Sequence, residues 1–311
     1  MSQIALSPNR RPLGKSEFQV SPLAWGMWRF AGDDVAAAQA RCEAALAAGI
    51  NFFDTADIYG PDNDEPFGAS EALLGRVFKA APALRGQIVL ASKGGISMGV
   101  PYDSSPEYLV SAIDASLTRL GVERIDLWQI HRPDMLTHWA DVAATLDEQV
   151  QAGKIGAVGV SNFTPAQTRA LAAHLKAPLV STQPEFSVLA LAPLFDGTLD
   201  LAMEMGQAVL GWSPLGQGRL GDGDPRPGRR QAEDDRLIRV KAALAAHGQK
   251  FGVSIAATAY AWVLAHPAGI TPIVGSQNPA RIAEAADAFK VTFTRAEWYA
   301  ILVASLGENL P

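Results

Sequence analysis

The stretch from Asp33 to Gly60, DDVAAAQARCEAALAAGINFFDTADIYG, carries one full turn of the pattern that decides the fold. Asp33 to Ala48 is Ala-rich with apolar residues at helical spacing, so it predicts an amphipathic helix. Gly49 follows where a C-terminal cap belongs, because the residue closing a helix often takes a left-handed conformation that glycine adopts without steric cost. Asn51 to Thr55 is then a short apolar run ending in polar side chains, the mark of a buried strand.

Outward from this unit the same alternation recurs. Strands are expected at Val20 to Trp25, Asn51 to Thr55, Ile88 to Ser92, Ile125 to Ile130, Ala157 to Val160, Leu179 to Gln183, Ala208 to Trp212 and Ile270 to Val274, eight in all. Helical stretches such as Pro106 to Leu120 and Thr137 to Ala152 lie between them. Ser105-Pro106, Thr164-Pro165 and Asn278-Pro279 are helix starts, with a capping side chain before a proline whose missing N–H costs nothing there. Gly121 and Gly153 stand at helix ends. Strict alternation of strand and helix predicts an α/β protein, a (β/α)₈ TIM barrel, with residues 1–311 forming one domain.

Three segments stand outside the repeat. Ala5 to Val20, with a turn near Pro8-Asn9, is expected to form an N-terminal β-hairpin closing one barrel end. Arg295 to Leu306 is expected as an extra C-terminal helix. Gly216 to Arg230 is a long Gly-, Pro- and Arg-rich loop after strand seven, and loops of that length in compact domains tend to be functional.

Composition narrows the function. With 48% hydrophobic and 19% charged residues the chain is a globular protein with a sizeable core. A net charge of -6 and a pI near 5.4 argue against nucleic acid, which needs clustered Lys and Arg, and favour a small-molecule partner. Cys42 is the single cysteine, which excludes an intrachain disulfide and a multi-cysteine metal site. No apolar run approaches the roughly 18 residues of a membrane span, and Met1 to Val20 lacks a signal-peptide core, so a cytoplasmic location is expected. Oligomeric state is not legible.

Active sites of these barrels lie at the carboxyl ends of the strands. Strand two ends in Asp54-Thr55-Ala56-Asp57-Ile58-Tyr59-Gly60, strand three in Ser92-Lys93-Gly94-Gly95, and strand four in Gln129-Ile130-His131-Arg132. An acid, a phenol, an ammonium and an imidazole therefore converge on one mouth. The Tyr59 phenol is a weak acid, and Lys93 beside it is expected to lower its pKa. Asp54 would hold Lys93 protonated and oriented, and His131 can donate to a carbonyl oxygen.

Through Phe53 to Gly60, Ser92-Lys93 and Gln129-Ile130-His131 the sequence resembles the aldo-keto reductase superfamily, and most of all its bacterial branch similar to potassium-channel β subunits. The resemblance runs from Gly26 to the helix after Gly275-Ser276. It implies a (β/α)₈ barrel that reduces aldehydes or ketones to alcohols with NADPH, and places the catalytic tetrad on Asp54, Tyr59, Lys93 and His131, with Tyr59 as proton donor. It further implies that Ser161, Asn162 and Gln183 hold the nicotinamide carboxamide while Trp212 stacks on the ring. Ser213, Pro214, Leu215, Gln217 and Gly218 would cover the pyrophosphate, with Gly26, Met27 and Asp54 also facing the cofactor. At the adenosine end Gly275, Ser276, Gln277 and Arg281 match, Ser276 and Arg281 as ligands of the 2′-phosphate, at the start of a helix whose free N–H groups suit an anion. Many members carry a lysine where Gly275 stands, which leaves NADH as a weaker alternative.

Trp28, Tyr59 and His131 are the expected substrate contacts. Asp57 either caps the turn into Tyr59 or assists it, Arg132 and Asp134 read as a solvated pair, and Trp128 and Trp139 as core or pocket wall. His138, His174, His247 and His266 read as surface or helix residues. Gly216 to Gly221 spells GxGxxG, with Asp235 at the distance of a ribose ligand, yet the prolines that follow cannot open the helix a Rossmann turn requires. Two rival functions fit the same residues: a class I aldolase forming a Schiff base through Lys93, and a slow or non-catalytic NADPH-binding regulatory subunit.

Overall fold

The structure, a computed structural model, describes residues 3–221 and 234–310. Its centre is a closed barrel of eight parallel strands: β1 (Ala24–Gly26), β2 (Phe52–Asp54), β3 (Val89–Gly94), β4 (Ile125–Ile130), β5 (Ile155–Ser161), β6 (Leu179–Gln183), β7 (Ala208–Gly211) and β8 (Ile270–Val274). Neighbours in sequence pair throughout, and β8 closes on β1 through Ile273 opposite Ala24. Around it run α1 (Val35–Ala47), α2 (Ala69–Ala80), α3 (Pro106–Leu120), α4 (Trp139–Gln151), α5 (Pro165–Ala172), α6 (Thr198–Met205), α7 (Asp235–Gly248), α8 (Ile255–Leu264), α9 (Pro279–Ala285) and α10 (Arg295–Leu306).

The expected punctuation is in place. Ser105 and Asn278 cap α3 and α9, and Thr164 forms a full capping box with Gln167 at the start of α5. Gly121 closes α3 at φ 64°. The surplus C-terminal helix spans the expected residues, with a capping box from Thr294 and Glu297. It has a companion that the element pattern did not separate: α7 packs against α10, so that two helices, not one, lie outside the eight units.

Strand geometry sorts the side chains. In a strand successive residues point to opposite faces, and Ala24, Phe52, Val89, Ala91, Leu127, Ala157, Leu210 and Ile273 form one buried cluster inside the barrel. Trp25, Phe53, Leu90, Trp128, Val158, Val209 and Val274 belong to the second, between barrel and helices.

The N-terminal hairpin exists, but its turn does not lie at Pro8-Asn9. Arg11–Pro12 pairs with Gln19–Val20, and the chain reverses between Leu13 and Phe18, where Leu13 N donates to Phe18 O. Leu13 and Val20 join the inner cluster, so the hairpin closes the barrel at the amino ends of the strands. Gly14 makes this possible: at φ +52° it lies so close to the sheet that a Cβ would stand 2.1 Å from Val180 O. Gln3–Ile4 pairs instead with Phe293–Thr294, just before α10. Of the loop expected over Gly216 to Arg230, residues 216–221 are a run of turns and the rest lies outside the described residues.

Candidate active site

The two-residue period that builds the barrel interior also builds its mouth. Continuing each inward series by one step gives Gly26 and Trp28 after Ala24, Asp54 after Phe52, Lys93 after Ala91, Gln129 and His131 after Leu127, Ser161 two steps after Ala157, Trp212 after Leu210 and Gly275 after Ile273. A cavity of about 690 Å³ opens there, well within the size of ligand pockets. It runs without a break from Trp28, Tyr59 and His131 to Ser276 and Arg281.

At its floor a buried line of polar groups forms. Lys93 Nζ donates to Asp54 Oδ2 at 2.8 Å, to Thr55 O at 2.7 Å and to the Tyr59 phenol oxygen at 3.2 Å. All three ammonium hydrogens are thereby used, and Lys93 is wholly enclosed behind the cavity wall. Although burial works against the charge, Asp54 and Tyr59 hold the Lys93 ammonium above its ordinary pKa. An ammonium with no lone pair and no free hydrogen is a poor Schiff-base nucleophile, which counts against the aldolase reading.

The Tyr59 phenol departs from the expected direction. Burial pushes it above its ordinary value, and the pull of Lys93 offsets this only in part, opposed by Asp54 and Asp57. Tyr59 is thus a neutral phenol, able to give a proton and unable to start as phenolate. Burial, with Lys93 and Arg132 nearby, drives His131 well below the usual imidazole range, so it is neutral and offers one N–H. The edge of one ring meets the face of the other, with Tyr59 and His131 centroids 5.8 Å apart.

Beside this line Gln129 Nε2 and Gln183 Nε2 both donate to Asp54 Oδ1, at 3.3 and 3.1 Å. Gln183 therefore supports Asp54 as well as lining the cavity. Ser161 Oγ donates to Gln183 O, and Asn162, held at φ +60°, donates to Ser161 Oγ and His131 O. Trp212 Nε1 donates to Asn162 Oδ1 at 3.0 Å, which fixes the indole against Asn162 at the mouth. Ser213, Pro214, Leu215, Gln217 and Gly218 follow along the same wall. An aromatic side chain beside amide and hydroxyl groups in one cavity suits a flat ring bearing a carboxamide, and the cavity extends to Ser276 and Arg281.

Several expected contacts lie elsewhere. Met27 is an outward-facing core residue with no exposure, its N–H bonded to Asp54 O and its carbonyl to Ser70, so it has nothing left for a cofactor. Gln277 turns its amide to Gly26 O and does not line the cavity. At α9 the expected free N–H groups are mostly taken. Pro279 has none, Ala280 N donates to Asn278 Oδ1, and Ile282 N to Asn278 O, which leaves the charge of Arg281 as the main attraction for a phosphate. Asp57 does not cap the turn into Tyr59 by a side-chain hydrogen bond, since neither carboxyl oxygen has a hydrogen-bond partner among the described residues, and it acts on the Tyr59 phenol only through its charge. Asp235 starts α7, exposed and away from the cavity, and the described part of the GxGxxG run forms turns.

Arg132 and Asp134 do not pair. Asp134 instead accepts from Ser104 N, Leu136 N and Thr137 Oγ1, while Arg132 faces the cavity. Arg29, Asp62 and Met98 also line it and carried no sequence signal, because each lies outside any strand register, Arg29 and Met98 in loops and Asp62 in a short 3-10 turn of helix at Pro61–Asn63. Among the described residues no cluster of His, Cys, Asp and Glu can hold a metal ion, and no helix is long and apolar enough to cross a membrane.

This geometry has relatives. A protein of Novosphingobium aromaticivorans named 6-dehydroglucose reductase is 53% identical over 313 residues, covering 100% of both chains. Another of that name from Agrobacterium fabrum is 37% identical, again over 100% of each. The L-glyceraldehyde 3-phosphate reductase of Escherichia coli is 29% identical over 92% of this chain and 89% of its own. A thermostable aldo-keto reductase crystallised with the inhibitor epalrestat shares the fold, with a TM-score of 0.78 at 21% identity over 95% of this chain and 99% of that one. The model of the Aldo/keto reductase family matches residues 22–304, and this chain belongs to that family of NAD(P)H-dependent reductases.

Proposed function

We propose that the protein reduces the aldehyde group of a sugar-derived substrate, of the 6-dehydroglucose type named for its relatives, to the alcohol with NADPH. The observation that carries this reading is the hydrogen-bonded line Asp54–Lys93–Tyr59 at the floor of a cavity that His131 and Trp212 also face. A bound reduced nicotinamide supplies the hydride for the carbonyl carbon and leaves oxidised. Tyr59 gives its phenol proton to the carbonyl oxygen, while neutral His131 donates a hydrogen bond that holds that oxygen in place. As the phenolate forms, Lys93 stands ready to stabilise it, and Asp54 keeps Lys93 charged. Ser161, Asn162 and Gln183 would hold the carboxamide, Trp212 would cover the ring, and Arg281 with Ser276 would favour the 2′-phosphate of NADPH.

The complete four-residue set counts against a purely regulatory role. The test is loss of NADPH absorbance with 6-dehydroglucose and with simple aldehydes, run in parallel with NADH. Turnover with NADPH ahead of NADH is expected. Tight NADPH binding with no aldehyde consumed would return the regulatory reading.

A further inference from the structure

Arg132 has a half-buried guanidinium next in sequence to His131, close enough to depress the imidazole electrostatically, and it lines the cavity. Among the described residues no carboxylate lies within ion-pair distance of it. The nearest candidate in sequence, Asp134, has turned away to Ser104, Leu136 and Thr137. A partly desolvated guanidinium with its planar fork of donors uncommitted is arranged for a ligand.

The same cavity is also lined by an acceptor. Asp62 takes the Trp28 indole N–H at 3.0 Å through Oδ2, and among the described residues no hydrogen bond engages Oδ1. Asn63 Nδ2 donates to Trp28 O, which ties the Trp28 backbone to the same loop. Arg29 rests over the indole, 5.4 Å from its centre. A guanidinium, a carboxylate and an indole thus border one opening. A donor fork, an acceptor and an apolar face match a chain of hydroxyl-bearing carbons, which presents donors, acceptors and C–H faces together. The Asp62 carboxylate is an acceptor that a hydroxyl group can use and a phosphate cannot, while Arg29 and Arg132 both line the cavity, so a phosphorylated substrate separates a polyol site from an anion site.

We infer that Arg132 and Asp62 read the hydroxyl groups of a polyhydroxy aldehyde whose carbonyl lies between Tyr59 and His131, with Trp28 as the face its carbon chain rests on. This deepens the proposed reductase reading and rests on it for the placing of the carbonyl. A site built to hydrogen-bond substrate hydroxyls discriminates against analogues lacking them, because its own polar groups are then left unpaired.

The test uses wild type, Arg132→Met, Arg132→Lys and Asp62→Asn with four aldehydes: 6-dehydroglucose, D-glyceraldehyde, propanal and D-glyceraldehyde 3-phosphate. In Arg132→Met the ratio of kcat/KM for the hydroxylated aldehydes to that for propanal should fall by about 10- to 150-fold, the range of a charge-assisted contact. Arg132→Lys, which keeps the charge but loses the fork, should recover only part of it. Calorimetry adds a readout free of turnover: D-glucose should bind wild type loaded with NADP⁺ and bind Arg132→Met and Asp62→Asn more weakly. A ratio unchanged within about threefold, with glucose binding equal in all variants, overturns the inference. So does a loss confined to the phosphorylated substrate, which would make Arg132 an anion site. If no aldehyde is consumed while glucose binding still depends on Arg132, the reductase reading fails and the hydroxyl-reading pair stands.

Discussion

Lys93 Nζ lies 3.2 Å from the Tyr59 phenol oxygen and 4.9 Å from the centre of its ring, so the ammonium sits at the hydroxyl end of the phenol, beside the acidic atom. Burial raises the phenol pKa and Lys93 lowers it, with burial the larger influence. Lys93→Met removes the opposing effect, so the pKa should climb further. Carbonyl reduction needs the neutral phenol, and its alkaline limb should shift to higher pH. The reverse reaction, alcohol oxidation, needs the phenolate as base and should lose more at alkaline pH than reduction does. Superimposable pH profiles for the two proteins would show that Lys93 does not govern Tyr59.

Tyr59→Phe takes away the proton donor and little else, because the ring keeps its contact with His131. A loss in kcat of at least about 100-fold is expected, the lower range of general acid catalysis. NADPH affinity, measured by fluorescence titration, should be kept. Turnover within a few-fold of wild type would mean that another group protonates the alkoxide.

Asp57 is a buried acid whose carboxyl oxygens have no hydrogen-bond partner among the described residues. Its carboxyl is 1% exposed, and burial followed by the repulsion of Glu71 raises its pKa well above the ordinary value. The unfolded chain releases this proton above about pH 4 while the folded protein retains it, so folding stability falls as pH rises toward the folded pKa. Asp57→Asn abolishes that slope. The melting temperature of the variant should gain on wild type as pH goes from about 5 to 8. A constant difference across that range would mean that Asp57 is ionised in the fold.

The period-two register explains how much of the site was legible. Asp54, Lys93, Trp212 and Gly275 fall at the next inward positions of strands whose apolar runs were visible, and His131 and Ser161 one inward step further. The same register assigns Met27 outward, between inward Gly26 and Trp28, a distinction that proximity to the strand end alone does not make. Long-range contacts were out of reach. The hairpin turn is fixed by Gly14 against Val180, not by the stronger local turn signal at Pro8-Asn9. Arg132 was released by Ser104, which reaches Asp134 from 30 residues away. The net rise of the Tyr59 pKa depends on how deeply the ring is enclosed, which no spacing encodes.

Under the proposed NADPH reading, cofactor choice is expected to depend on Arg281, because α9 offers few backbone donors of its own once Asn278 has taken Ala280 N and Ile282 N. Arg281 lines the far end of the cavity with Ser276, and Gly275 brings no charge where a lysine is common in the family it resembles. A guanidinium can grip the 2′-phosphate of NADPH with a planar fork of donors, and NADH has no such group. A charge-assisted contact of about 1.5–3 kcal/mol corresponds to roughly 10- to 150-fold in affinity, and with a single exposed cation the lower half of that range is expected. Arg281→Ala should therefore weaken NADPH by about tenfold and leave NADH nearly untouched. Because the contact is ionic and exposed, NADPH affinity should also fall more steeply with salt in wild type than in the variant. Titration of both cofactors into both proteins at two ionic strengths checks this, and equal losses for NADPH and NADH would show that Arg281 supports the α9 region instead of reading the phosphate.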